Sequence, residues 1–485
     1  MPSQVRTYSE DKRLGRVYTP EGLVAEVLAA VGYDPVKYPQ ARLLDPACGD
    51  GQFLVAIVRR ILERLPPDKW REALAGIEGW DIDPHAIEVA RTRLQAELAP
   101  YGLPLLCQLS VRDSLMTYTT LFGPQPTYDF IVGNPPYVRI QHLPDSYKTF
   151  LQKNFSFCRT GSTDLYLAFF ELGLSLLAEG GKLGFITPNT WLYTEAARPL
   201  RTYLLQEKLL ERVIDYDTAT PFPGVGAYIA ITVLSKERPA FWQYERRGTP
   251  PFLQVLPAGE WFHTVSYTPR FRPLGEVAYI GVGITTLADE VFILFPEAPF
   301  SPERPIQRLR TRAGQLVEIE TPLLRPIIKA STFQGDAGHP QAYIIFPYTL
   351  VEGKYRLLPE GILQQYPLAY VYLSAHKERL LRRDGGKPNP EGWYAFGRHQ
   401  NLEKSFGKKI LFPPISPKPR FGLSRLEECT VYSGYFIKYD GDYEALLAQL
   451  NSERMEAYIR LHSRPFRGGW RAYNKKVLER FPVEV

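Results

Sequence analysis

Strand and helix signals alternate through the first half of the chain, and that alternation restricts the fold more than any other feature. Arg42-Leu43-Leu44-Asp45 predicts a short buried strand, and Gln52–Leu65 carries Phe53, Ile57, Ile61 and Leu65 at helical spacing. Gly76–Asp81 reads as a second strand, followed by a helix over Pro84–Leu98. Leu105–Leu109 and Phe130–Val132 add two strands. Leu165–Leu177 is an apolar helix stopped by Gly180-Gly181, and Leu183–Thr187 is the next strand. Val213–Asp215 and Tyr228–Leu234 complete the set. Upstream, Thr19-Pro20 opens an amphipathic helix over Glu21–Val31, with threonine as N-cap and proline in the first turn. Strands joined by helices imply an α/β fold. Its sheet would be open and mostly parallel, with a site at the carboxyl ends of the strands.

The pattern changes after Lys236-Glu237-Arg238-Pro239, which reads as a linker. Beyond it come short β-like runs broken by Pro and Gly, such as Ala342–Pro347 and Lys409–Pro414, with helical signals at Leu368–Arg383 and Tyr443–Leu461. A chain of 485 residues exceeds one ordinary core, so a catalytic domain over 1–240 and a separate α+β domain over 241–485 are expected. Charge divides the same way. Residues 1–240 hold 25 Lys and Arg against 27 Asp and Glu, whereas residues 241–485 hold 33 against 25. A cationic surplus confined to the second half suits a region that meets a phosphate backbone. Arg398, Lys404, Lys408, Lys418, Arg420, Arg467 and Arg471 are the candidate contacts to a nucleic-acid backbone, with Asn401 a further candidate for reading bases. A merely solvated basic face is the alternative. Cys48, Cys107, Cys158 and Cys429 show no metal-ligand spacing and no disulfide framework. With no apolar run of bilayer length and no signal-peptide pattern, the expectation is a reduced, cytosolic protein.

The first strand runs into Asp45-Pro46-Ala47-Cys48-Gly49-Asp50-Gly51, a tight turn leading to a helix. Gly49 and Gly51 allow the backbone close to a ligand. Two carboxylates in this turn do not suit a pyrophosphate, which wants bare N–H groups at a helix start. They suit a ligand with positive charge and hydroxyls, and S-adenosylmethionine has a sulfonium, an ammonium and a ribose diol. Asp81, at the end of the second strand, stands where an acid accepts from ribose hydroxyls, and Ile82 offers an apolar face to adenine. Asp113, after the third strand, offers an acceptor for the adenine amino group. Helix N-capping is the competing reading for each acid taken singly.

Behind Asp129-Phe130-Ile131-Val132-Gly133 stands Asn134-Pro135-Pro136-Tyr137. The Asn134 carbonyl can accept from an exocyclic amine. The prolines cannot donate and leave a carbonyl in the turn available. Tyr137 offers a π face to a flat base and to the positive charge that develops on an alkylated nitrogen. An ordinary Asn-Pro turn is the plain alternative.

In order, Gly15–Pro20, Asp45–Gly49, Asp81–Pro84, Asp113, Asn134–Tyr137, Thr187-Pro188-Asn189-Thr190-Trp191-Leu192 and Pro221-Phe222-Pro223 resemble the motifs of the gamma-class adenine-N6 DNA methyltransferases of the TaqI type. The likeness spans residues 13–235, returns at Asn451–Met455 and Leu478–Val483, and is faint between about 240 and 440. It implies a Rossmann-like S-adenosylmethionine-dependent sheet with a C-terminal DNA-recognition domain. Thr19 would then contact the methionine moiety of the cofactor, with Asp45, Ala47 and Gly49 near its sulfonium end. Asp81 would hold the ribose, with Ile82 and Asp113 at the adenine. Asn134 and the Pro135 carbonyl would accept from the target amine, and Tyr137 and Phe222 would stack the extruded base. The partners implied are double-stranded DNA, bound as a monomer, and a cognate restriction endonuclease acting separately. Asp45 and Gly49 stand where the relative has Glu and Ala. The rival readings are a fused restriction-modification enzyme, or methylation of cytosine N4, RNA or a protein glutamine.

Overall fold

The computed structural model describes residues 19–120, 126–159, 163–217, 228–248, 251–262, 270–333, 335, 340–398 and 402–484. Phe222 and Asn401 lie outside them. The chain forms two compact units, Met1–Thr264 and Val265–Val485.

The first unit is built on nine strands: β1 Leu43–Asp45, β2 Ile77–Asp81, β3 Gln108–Val111, β4 Tyr128–Gly133, β5 Leu177–Pro188, β6 Leu210–Asp215, β7 Ile229–Ser235, β8 Phe241–Arg246 and β9 Phe252–Pro257. Their order is β3-β2-β1-β4-β5-β7-β6-β8-β9. From β3 to β5 every pairing is parallel, which is why helices join these strands. β7 runs antiparallel between β5 and β6, β8 lies parallel to β6, and β9 closes the edge antiparallel to β8. Helix α1 (Glu21–Ala30) buries Leu23, Val24, Val27 and Leu28, and α2 (Gln52–Arg64) buries Phe53, Ile57 and Ile61 in the same core. The α/β expectation holds.

Four details depart from the sequence reading. The four residues 236–239 are not a domain linker. They turn β7 into β8 within one sheet, so the first unit ends near 264 rather than 240. The Phe241–Arg246 and Phe252–Pro257 hairpin, which extends that sheet, was missed because it lies past the expected boundary. Gly180-Gly181 does not end the apolar helix, which stops at Leu176, and both glycines lie within β5. Thr19 does not cap α1: Pro20 occupies the N-cap position, with no side-chain capping bond.

The second unit mixes small, mostly antiparallel sheets with short helices, as an α+β reading expects. A four-stranded sheet contains Ala278–Val282, Tyr435–Tyr439, Lys409–Phe412 and Gly422–Ser424, and a six-stranded sheet includes Ile293–Pro296, Leu324–Lys329 and Ala342–Ile345. Each sheet has its own apolar core. The helical signal over 443–461 resolves into Tyr443–Leu450 and Glu453–His462, where the Ser452 hydroxyl accepts from the Met455 N–H and restarts the helix. Among the described residues no helix is long and apolar enough to cross a membrane.

Candidate active site

β1 delivers Asp45 to a crowded position. Its carboxylate is 1% exposed, and Oδ1 accepts the Ala47 N–H at 3.1 Å. Gly133, the last residue of the neighbouring β4, passes so close that a Cβ there would lie 2.6 Å from Asp45 Oδ1. Burial, with a smaller push from the Asp81 charge, raises the Asp45 carboxyl from 3.8 to about 8, although the Ala47 N–H pulls the other way. Among the described residues no cationic side chain pairs with it. A buried acid without a counter-charge fits a cationic ligand.

The turn after β1 is braced by β2. Asp81 Oδ2 accepts the Gly49 N–H at 2.8 Å, and its Oδ1 accepts the Asp83 N–H at 2.9 Å. The Cys48 N–H donates to the Trp80 carbonyl at 2.9 Å, which ties the two loops together. Gly51, at φ 83°, turns the chain into α2, and a Cβ there would meet Ala90 Cβ at 3.0 Å. Ile82 is 66% exposed and presents an apolar face with nothing packed over most of it. Asp113 Oδ1 accepts the N–H groups of Leu115 and Met116 at 3.0 and 2.9 Å, so this acid does cap the next helix. It also receives the Tyr147 hydroxyl. Asp50 turns away to Arg93, 2.9 Å from its guanidinium, and to Gln52.

At the end of β4 the amide of Asn134 is held at both ends. Its Nδ2 donates to the buried Thr19 hydroxyl at 3.0 Å. Its Oδ1 accepts the Tyr137 hydroxyl at 2.5 Å, and that hydroxyl is also 3.2 Å from the Ile186 carbonyl of β5. Burial keeps the Tyr137 phenol proton well above its ordinary range, so the ring is neutral. Pro135 is buried, and among the described residues no donor engages its carbonyl. Thr19, Asp45, Ala47, Gly49, Asp81, Ile82 and Asn134 therefore gather around the carboxyl ends of β1, β2 and β4.

The sequence reading missed a second cluster. At the end of β5, buried Asn189 donates to Asp215 Oδ1 at 2.8 Å, and the hydroxyls of Tyr193 and Tyr244 reach Asp215 Oδ2 at 3.0 and 2.9 Å. Burial raises the Asp215 carboxyl. Its signals were the acid closing the apolar run of β6 and Asn189 in the motif that follows β5, but nothing in the sequence joins the two. The cluster ties β5, β6 and β8 together.

The candidate DNA contacts separate into three groups. Arg398, Lys404 and Lys418 are exposed, with Lys404 Nζ 4.2 Å from the Tyr279 ring. Lys408 is half-buried over Tyr443, and Arg420 donates to the Ser331 carbonyl. Arg471 is 7% exposed on a strand and donates to the Ser463 carbonyl, so it is not available to a phosphate and that expectation is corrected. The side chain of Arg467 lies outside what is described.

Comparison with known proteins agrees with this geometry. Residues 76–222 match the Eco57I restriction-modification methylase family. The chain is 26% identical to the type II methyltransferase M.XhoI of Xanthomonas vasicola, across 97% of its own length and 90% of that protein. It is 31% identical to the type II methyltransferase M.TthHB8I of Thermus thermophilus, across 51% of each chain. The type IIL restriction-modification enzyme MmeI, solved in complex with DNA, superposes with a TM-score of 0.61 at 14% identity, over 97% of this chain and 68% of that one. Fold and matched segment make the chain similar to restriction-modification methyltransferases, on a mixed α/β sheet that resembles those of S-adenosylmethionine-dependent methyltransferases. The relatives it matches are type II methyltransferases.

Proposed function

We propose that the protein is a site-specific DNA methyltransferase that modifies the N6 amino group of an adenine rotated out of the duplex. The observation that carries this is the Asn134–Tyr137 corner at the end of β4, immediately beside the Asp45 and Asp81 turns. S-adenosylmethionine would supply an electrophilic methyl group there, with Asp45 holding its positive end, Asp81 its ribose, and Ile82 and Asp113 its adenine.

The substrate amine is a poor nucleophile because its lone pair is delocalised into the ring. Asn134 Oδ1 and the Pro135 carbonyl accept its two N–H bonds, which draws the nitrogen toward tetrahedral geometry and localises the pair. As the N–C bond forms the sulfonium–methyl bond would break; fixed dipoles and the Tyr137 ring stabilise the cation that results, and that cation is acidic enough to lose its proton to water, so no general base of matched pKa is required. Since an amine inside a duplex is out of reach, the base is everted first, at a cost of a few kcal/mol. Exposed cations of the second unit, Arg398, Lys404 and Lys418 among them, offset that cost along the backbone. The protein acts as a monomer on double-stranded DNA, with a cognate endonuclease acting separately.

Sequencing host DNA with modified-base detection, with and without the protein expressed, tests this. N6-methyladenine at one short recurrent site is the expected result. N4-methylcytosine would shift the substrate while keeping the mechanism, and unmodified DNA would reject the proposal.

A further inference from the structure

A primary amide has a donor end and an acceptor end of nearly the same shape, and only the acceptor end can receive an amine. Whatever decides which end of Asn134 faces the substrate therefore decides whether the corner works. Two hydroxyls touch that amide. Tyr137 reaches Oδ1 at 2.5 Å and lies 3.2 Å from the Ile186 carbonyl. Thr19, 115 residues away in sequence, accepts from Nδ2 at 3.0 Å. Thr19 is 4% exposed and makes no capping bond to α1, so its hydroxyl has no helix-start duty that would explain its placement.

The two contacts differ in what happens when an amine arrives. The substrate N–H must take Asn134 Oδ1, the same atom that receives the Tyr137 proton, and the Ile186 carbonyl is close enough to take that proton instead. The bond from Nδ2 to Thr19 is untouched by the exchange. We infer that Thr19 is a positioning residue: by accepting the amide N–H of Asn134, its hydroxyl keeps the carbonyl end turned to the substrate amine while the tyrosine contact is given up. This rests on the reading of the corner as an amine methylation site. It assigns Thr19 a role distinct from contact with the methionine end of the cofactor.

Thr19→Val preserves shape and removes the acceptor, and Thr19→Ser restores it. Methyl transfer to duplex DNA is measured at saturating cofactor, and cofactor affinity is measured separately by calorimetry without DNA. The valine variant is expected to lose roughly 10- to 100-fold in kcat, the range for one buried hydrogen bond, with cofactor Kd within about twofold. The serine variant should return most of the rate. Should the valine variant fail to fold, Thr19→Cys takes its place with the same expectation. Weakened cofactor binding with kcat unchanged would overturn the inference, as would a serine variant no better than valine. A parent protein that transfers no methyl to DNA would reject the proposed function itself. A parent that modifies cytosine N4 would leave the Thr19 inference standing, since either amine needs the acceptor.

Discussion

The two units use polar side chains in opposite ways. In the first, Asp45, Asp81 and Asn134 stand at the carboxyl ends of neighbouring strands, and each keeps an oxygen or a charge that the surrounding protein does not neutralise with a cation. In the second, several cations are consumed internally while Arg398, Lys404 and Lys418 stay exposed. Arg383 donates to the carbonyls of Leu380, Thr286, Ala395 and Trp393. Lys409 is fully buried, donates to the Gly407 and Cys429 carbonyls at 2.7 and 2.6 Å, and is pushed down to about 8 by burial. Lys438 holds the Phe406 and Lys408 carbonyls at 2.6 and 2.9 Å. A motif in a strand-to-helix turn carries its geometry with it, because the groups it arranges are adjacent in the chain. A basic cluster carries no such geometry, and its role depends on which distant carbonyls need a donor.

The contrast can be broken experimentally at several strengths. Asn134→Ala should lower methyl transfer by about 1000-fold or more, the upper range for removing one group that acts on developing charge, with cofactor binding intact. Normal methylation by that variant would remove the corner from the mechanism. Tyr137→Ala should weaken capture of the everted base by roughly 10- to 100-fold, the worth of one stacking contact, with little change in cofactor affinity. This is read from the affinity for DNA carrying a mismatch at the target.

Asp45 predicts a pH signature. Its native carboxyl sits at about 8 against 3.8 ordinarily, so between these values the folded protein holds a proton that the unfolded chain has lost. The stability from this group is full at acid pH and falls as pH rises through that window. A cationic cofactor favours the ionised form, so its affinity should rise by up to about tenfold per pH unit until about pH 8 and then level. Calorimetry in two buffers of different ionisation heat should show proton release, and Asp45→Asn should abolish it. Arg471→Ala should lower thermal stability by about 1–3 kcal/mol, the cost of a buried unpaired partner, and leave the salt dependence of DNA binding unchanged. The smallest effect is expected at Lys418, where alanine should reduce the slope of log affinity against log salt by about 1 with stability unaltered. If Arg471 and Lys418 behaved alike, the division between structural and available cations would fail.

Much of the first unit was legible because its signals are local. Periodicity placed β1, β2, β4 and α2 within a few residues, and the acids at their ends were found from turn chemistry alone. Asp113 shows the competing local rule at work, since it caps a helix as aspartates do. The β8–β9 hairpin was not legible: Arg238-Pro239 looks like a linker whether the next strand joins the same sheet or starts a new domain. Thr19 was misread as a cap because Thr-Pro before a helix is a cap signal, and nothing nearby reveals Asn134 as its partner.

What the sequence determined by itself was the chemistry on offer: an alternating sheet, acids at its strand ends, and an amide-proline-aromatic corner behind the fourth strand. These are set by spacing over a few residues, where backbone sterics and turn preferences act. Tertiary structure decided which polar groups stay available. It buried Asp45 against Gly133, joined Thr19 to Asn134, closed Asp215 inside a cage of hydroxyls and spent Arg471 on a carbonyl. Availability is a property of surroundings, because the free energy of a charge or a hydrogen-bonding group depends on its solvent exposure and its partners, and those come from parts of the chain that only folding brings together.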